Sequence, residues 1–226
     1  MIQDEMALSL DTESIEKTLS IIELIKSGGL AGQLIIALLT VLLVVALYIY
    51  FERLFTIKAA SKVDPNFMNQ IKDHVVNGKI EAAKVLCTNV NSPVSRLIHK
   101  GVSRIGRPLA DINSAIENAG KLEVYTLEKN VSVLATISGA APMIGFLGTV
   151  IGMILSIFEI ANSGGQIDIK LLADGLYTAM TTTVAGLVVG IIAYISYNHI
   201  VGRTNKVVYQ MEANSVEFLD LLNEPI

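Results

Sequence analysis

The chain has no tryptophan and a single cysteine, Cys87, so it holds neither an internal disulfide nor a cysteine-rich metal site. Its three histidines, His74, His99 and His199, stand far apart without metal-ligand spacing, and structural roles are expected for each. No glycine loop is followed by Lys-Ser/Thr: "SGGLAGQ" and "NSGGQ" lack that pair, so ATP hydrolysis by this chain is not expected. Charge is scarce. Only 17% of the 226 residues are charged while 52% are hydrophobic, and mean hydropathy is +0.55, too apolar for an ordinary soluble domain. The formal net charge of -4 gives no sign of a nucleic-acid partner. No cofactor, metal site or catalytic residue is expected.

What the chain does have is three long apolar runs. The first, residues 30–51, "LAGQLIIALLTVLLVVALYIYF", matches the ~20 residues a hydrocarbon core requires. Tyr48, Tyr50 and Phe51 form an aromatic belt at its end. A signal peptide is disfavoured, because the preceding segment is acidic and no small-residue cleavage site follows. The second run spans 131–161 and the third 171–201. As helix each would reach roughly 45 Å and project beyond the bilayer. The short link at 162–170, "NSGGQIDIK", makes these two an antiparallel hairpin. An all-α integral membrane protein is expected, with three transmembrane helices, the second and third long and extending into the cytoplasm.

Charge placement orients the spans. Residues 52–130 carry most of the lysine and arginine, from Arg53 to Lys129, and Arg203 and Lys206 follow the third span. The N-terminal segment has Lys17 and Lys26 against Asp4, Glu5, Asp11, Glu13, Glu16 and Glu23. The positive-inside rule then puts the region 52–130 and the C-terminal helix 202–226 in the cytoplasm, and residues 1–29 and the hairpin outside. Residues 1–29 read as an amphipathic segment, with Ile15, Leu19, Ile22 and Ile25 on one face. Within the cytoplasmic region Asp64-Pro65 reads as a helix start, "VNGK" as a turn, and "NVNSP" as a loop into a helix at Pro93. From Leu109 the pattern runs without proline into the second span, so one long helix is expected.

The second and third runs carry residues that a purely lipid-facing helix does not need. Ser138, Ala141, Gly145, Gly148, Gly152 and Ser156 follow three- and four-residue steps along one stripe, with Thr149 at its border. Such stripes let helix backbones approach closely in lipid. Pro142 interrupts the same helix, which membrane helices tolerate when neighbours or water repair the ladder. In the third run Thr178, Thr182, Ala185 and Val189 lie on one face, and Ala179, Thr183, Gly186 and Gly190 on the adjoining one. A helix small on so much of its circumference must be enclosed. One chain has too few spans to do this, so other copies or another protein are implied. The first run has no such stripe and should face lipid, with Thr40 the polar residue of its middle. Thr178, Thr181, Thr182 and Thr183 either bond back to their own helix or line a polar path for water or a cation. Thr181 is the one for which back-bonding is favoured. The deep parts of both spans hold no carboxylate, Lys, Arg or His; Glu159 and Asp174 lie near the outer ends. Proton relays normally place an ionisable group at depth, so this chain alone is an incomplete ion carrier.

"APMIGFLGTVIGM" followed by "DGLYTAMTTTVAGLVVGIIAYISYN" resembles the ExbB/TolQ/MotA family of ion-driven motor subunits. Three spans and a short hairpin loop favour the ExbB/TolQ branch. The resemblance implies a bacterial inner-membrane stator, a homopentamer enclosing two single-span helices of an ExbD/TolR-like partner. That partner would supply the ionisable aspartate, and a TonB- or TolA-type periplasmic effector would receive the work. The family's pore-lining threonines fall on Thr149 and Thr183. The family's usual glutamate, five residues before the latter, is replaced by Thr178, so this subunit brings no titrating group of its own there. Protons are favoured as the coupling ion. The competing reading is a structural membrane scaffold whose small stripes only pack helices. An intramembrane protease is set aside, since no Ser/His or paired-Asp constellation lies at depth.

Overall fold

The computed structural model describes residues 29–62, 64–162 and 169–223. The N-terminal amphipathic segment up to residue 28 and most of the hairpin link lie outside the described residues. Among the described residues the protein is all-helical, with seven helices: α1 Gly29–Ala60, α2 Phe67–Val76, α3 Ile80–Val90, α4 Pro93–Val102, α5 Leu109–Glu128, α6 Val131–Asn162 and α7 Ile169–Asn223. Three of them, α1, α6 and α7, are long and apolar enough to cross a membrane. Helix α1 runs nine residues past Phe51, and α7 carries the third apolar run and the C-terminal segment as one helix of 55 residues. Of the described residues, those from 29–40 and 142–188 form one compact unit, and those from 41–141 and 189–223 form another.

The second unit is built on a conventional apolar core. Phe67 and Ile71 of α2, Ala83 and Cys87 of α3, Val94, Leu97, Ile98 and Val102 of α4 and Ile112 and Ile116 of α5 are buried with Ile200, Val207, Met211 and Phe218 of α7. Cys87 belongs to this core. Burial pushes its thiol up to about 11, so it packs as a small neutral side chain. Gly101 brings α4 close to α7 and α5, since a Cβ there would lie 2.9 Å from Ile116 Cδ1 and run into the Phe218 ring.

Local chemistry sets the helix ends. The start at Pro93 has a capping box: Ser92 Oγ accepts from Ser95 N at 3.1 Å, and Ser92 N donates to Ser95 Oγ at 2.8 Å. Gly78, with φ +69°, closes the turn after α2. The Asp64-Pro65 start is displaced. Asp64 Oδ1 accepts from Asn66 N at 2.9 Å, two residues on, which makes a local turn, and the helix begins at Phe67.

The expected single helix from Leu109 into the second span is also corrected. It divides at Lys129-Asn130, where Asn130 adopts the left-handed region with φ +62°. Asparagine tolerates that conformation better than other side-chain-bearing residues. The carbonyls freed at the end of α5 find a donor: Arg53 Nη1 bonds Thr126 O at 3.1 Å. Arg53 is buried and also pairs with Glu52, so the cation comes into the unit with its counter-charge.

Candidate functional site

In the first unit the small stripe of α6 lies against α7 of the same chain. A Cβ added at Gly145 would lie 2.8 Å from Thr182 O and 3.0 Å from Gly186 Cα. One added at Gly152 would lie 3.0 Å from Ala179 Cβ, and one at Gly148 would run into Thr182. In the same unit Gly186 is buried and Pro142 half-buried; in the second unit Ala141 and Gly190 are buried. Gly145, Gly148 and Gly152, with Gly186 opposite Gly145, are therefore where the hairpin's helices approach closely. The chain's own hairpin thus covers part of the small faces of α6 and α7. What α7 leaves open is large and apolar: Met180, Val184, Leu187 and Val188.

That close approach brings threonine hydroxyls onto opposing carbonyls. Thr183 Oγ1 donates to Gly145 O at 3.1 Å. Thr149 Oγ1 lies 3.1 Å from Ala179 O, and the Thr149 and Thr183 hydroxyls are hydrogen-bonded to each other. Thr182 is 1% exposed; its hydroxyl lies 2.8 Å from Ala179 O and 3.3 Å from Gly145 O. Thr181 bonds back to Tyr177 O at 2.9 Å, on its own helix. Thr178 faces α1, where a Cβ on Gly32 would lie 2.8 Å from its methyl group.

Thr149, Thr183, Thr182 and Thr178, the candidates for an ion pathway, thus divide. Thr149 and Thr183 form one half-buried pair, Thr182 is sealed between the hairpin helices, and Thr178 meets the first span. The sequence reading missed Gly32, the small residue that admits Thr178; Ala31-Gly32 at the start of the first run was its signal. It also missed the carbonyls of Gly145 and Ala179 as acceptors, because backbone partners across two helices leave no trace in residue type. Among the described side chains of this unit the one ionisable acid is Glu159, which is exposed, and no group of His, Cys, Asp and Glu is arranged to hold a metal. Two hydroxyls, two shared carbonyls and no charge can solvate a passing cation or position water, but cannot take up and release a proton at neutral pH.

All-helical among the described residues, with three helices long and apolar enough to cross a membrane, the chain has the architecture of an integral membrane protein. The sequence matches the MotA/TolQ/ExbB proton channel family over residues 89–213, from the end of α3 through most of α7. The chain belongs to that family. It is 27% identical over 194 residues to an ExbB homologue of biopolymer transport from Methanothermobacter thermautotrophicus, covering 85% of this chain and 67% of that protein. It is 26% identical over 210 residues to the Tol-Pal system protein TolQ of Haemophilus influenzae, covering 84% and 87%. A shorter match, 36% over 87 residues, reaches the biopolymer transport protein ExbB of Aquifex aeolicus, covering 38% of this chain and 58% of that one.

Proposed function

We propose that this chain is the ExbB/TolQ-like subunit of a proton-driven motor in a bacterial inner membrane. Its residues 1–29 and hairpin link lie on the periplasmic side, and residues 52–130 and the C-terminal helix in the cytoplasm. Five copies enclose two single-span helices of an ExbD/TolR-like partner, and a TonB- or TolA-type effector takes up the work for outer-membrane transport or maintenance. The observation that carries this reading is the Thr149–Thr183 hydroxyl pair, whose hydrogen-bond partners among the described residues are hydroxyls and backbone carbonyls and not a titrating group. It fits a chain that solvates an ion while a partner supplies the acid. Thr182 and Thr178 belong to the same proposed pathway, and Ala141, Pro142, Gly145, Gly148, Gly152, Gly186 and Gly190 pack the helices around it.

One observation favours the scaffold reading. Thr149, Thr181, Thr182 and Thr183 each already have a hydrogen-bond partner within the chain, so packing alone gives them a use. Copurification separates the two. Co-expressed with a single-span protein bearing an intramembrane aspartate, the chain should carry it through detergent extraction at fixed stoichiometry. Recovery of this chain alone, as an intact oligomer, would favour the scaffold.

A further inference from the structure

A cavity of about 580 Å³ opens between α3, α4 and α5, in the second unit and away from the threonine pair. Its wall carries Arg96, His99 and Lys100 of α4 and Arg104 from the turn that follows. These positions step by three and four residues and share one face, while Val94, Leu97, Ile98 and Val102 are buried on the other. Like charges at that spacing repel and weaken a helix. One of them is answered within the chain. Arg96 makes a bidentate pair with Glu123, Nε and Nη2 each 2.6 Å from a carboxylate oxygen. Lys100 and Arg104 have no carboxylate partner among the described residues; Arg104 reaches the Asp111 carbonyl at 3.3 Å. A helix C-terminus welcomes a cation, which accounts for Lys100 but not for the convergence of His99, Lys100 and Arg104 on one hollow. The lining also has apolar Ala115, Ala119 and the exposed Leu122, beside Asn118 and the Glu123 carboxylate that Arg96 neutralises.

We propose that this cavity binds a phosphate-bearing anion, held by Lys100 and Arg104 with its organic portion against Ala119 and Leu122. A phosphate presents several acceptor oxygens around one centre, so donors from separate side chains are each satisfied. A carboxylate is filled by one bidentate arginine, as Glu123 is by Arg96. The cavity volume suits a small organic ligand. Two sources carry this chemistry, a phospholipid headgroup and a soluble phosphate.

The test uses the full chain purified in a neutral detergent. Inorganic phosphate is titrated by calorimetry, and retention of phosphatidylglycerol against phosphatidylcholine is read by native mass spectrometry. The wild type should bind at least one probe saturably. The double variant Lys100→Gln/Arg104→Gln should weaken that binding by about tenfold or more, as expected for lost charge-assisted contacts. Lys100→Arg, which keeps the charge, should retain it, and Lys62→Gln, a surface cation elsewhere, should leave it unchanged. Phosphate binding without lipid retention assigns the soluble source; selective retention of phosphatidylglycerol without phosphate binding assigns the headgroup; both together support the site for either. Saturable binding of neither probe overturns the proposal. So does a Lys62→Gln loss equal to that of the double variant.

Discussion

At Gly148 a methyl group would meet the Thr182 side chain, with a Cβ–Cβ separation of 2.7 Å, whereas Gly139 on the same helix has nothing within 4 Å. Both positions gain the helix propensity of alanine, about 1 kcal/mol, but only the first suffers overpacking, about 1–3 kcal/mol. Gly148→Ala should lower the thermal denaturation temperature in detergent, and Gly139→Ala should leave it unchanged or raise it. Equal temperatures for the two would mean that α6 and α7 do not meet at Gly148. The stripe itself was legible in the sequence, because three- and four-residue steps of small residues can only lie along one helix face. What covers it was not. Periodicity tells which residues share a face, and nothing about whether the partner is the neighbouring helix or another copy.

Among the elements, the short helices of the second unit were legible wherever a residue acts on its own backbone neighbours. Ser92-Pro93 announced α4, and Asn77-Gly78 announced the turn before α3. The break at Asn130 was not, since asparagine is compatible both with a helix and with the left-handed region, and residue type alone does not choose between them. The cap gives a measurable contribution. Ser92 and Ser95 are both buried, so Ser92→Ala leaves the Ser95 N–H without its acceptor and should cost about 1 kcal/mol, within a range of about 0.5–2. Urea unfolding followed by circular dichroism should show the loss, and Ser92→Asp, which restores an acceptor, should recover most of it. A Ser92→Ala midpoint equal to wild type would show that the cap contributes nothing to stability.

For the whole molecule, the three spans and the family were legible because apolar length and the two glycine-threonine motifs are properties of contiguous sequence. Orientation is a separate matter, carried by the lysine and arginine asymmetry. Single cysteines in a background lacking Cys87 should report it: position 17 should react with a membrane-impermeant maleimide in intact spheroplasts, and position 104 only after lysis. The reverse pattern would invert the topology proposed here.

The central claim is that the Thr149–Thr183 pair serves ion movement and not packing alone. Valine keeps the shape of threonine and removes the hydroxyl. Loss of a hydrogen bond to a charged group costs about 1.5–3 kcal/mol, which corresponds to a rate loss of roughly tenfold or more. Thr181, which bonds back to its own helix, is the internal control. The decisive measurement is proton uptake into vesicles holding the complex of this chain with its aspartate-bearing partner, driven by a potassium diffusion potential and read by an internal pH dye. The account predicts that Thr149→Val and Thr183→Val assemble with the partner but conduct about tenfold more slowly or worse, while Thr181→Val conducts as wild type. If Thr149→Val and Thr183→Val both assemble and conduct at the wild-type rate, these hydroxyls only pack the hairpin and the ion pathway lies elsewhere.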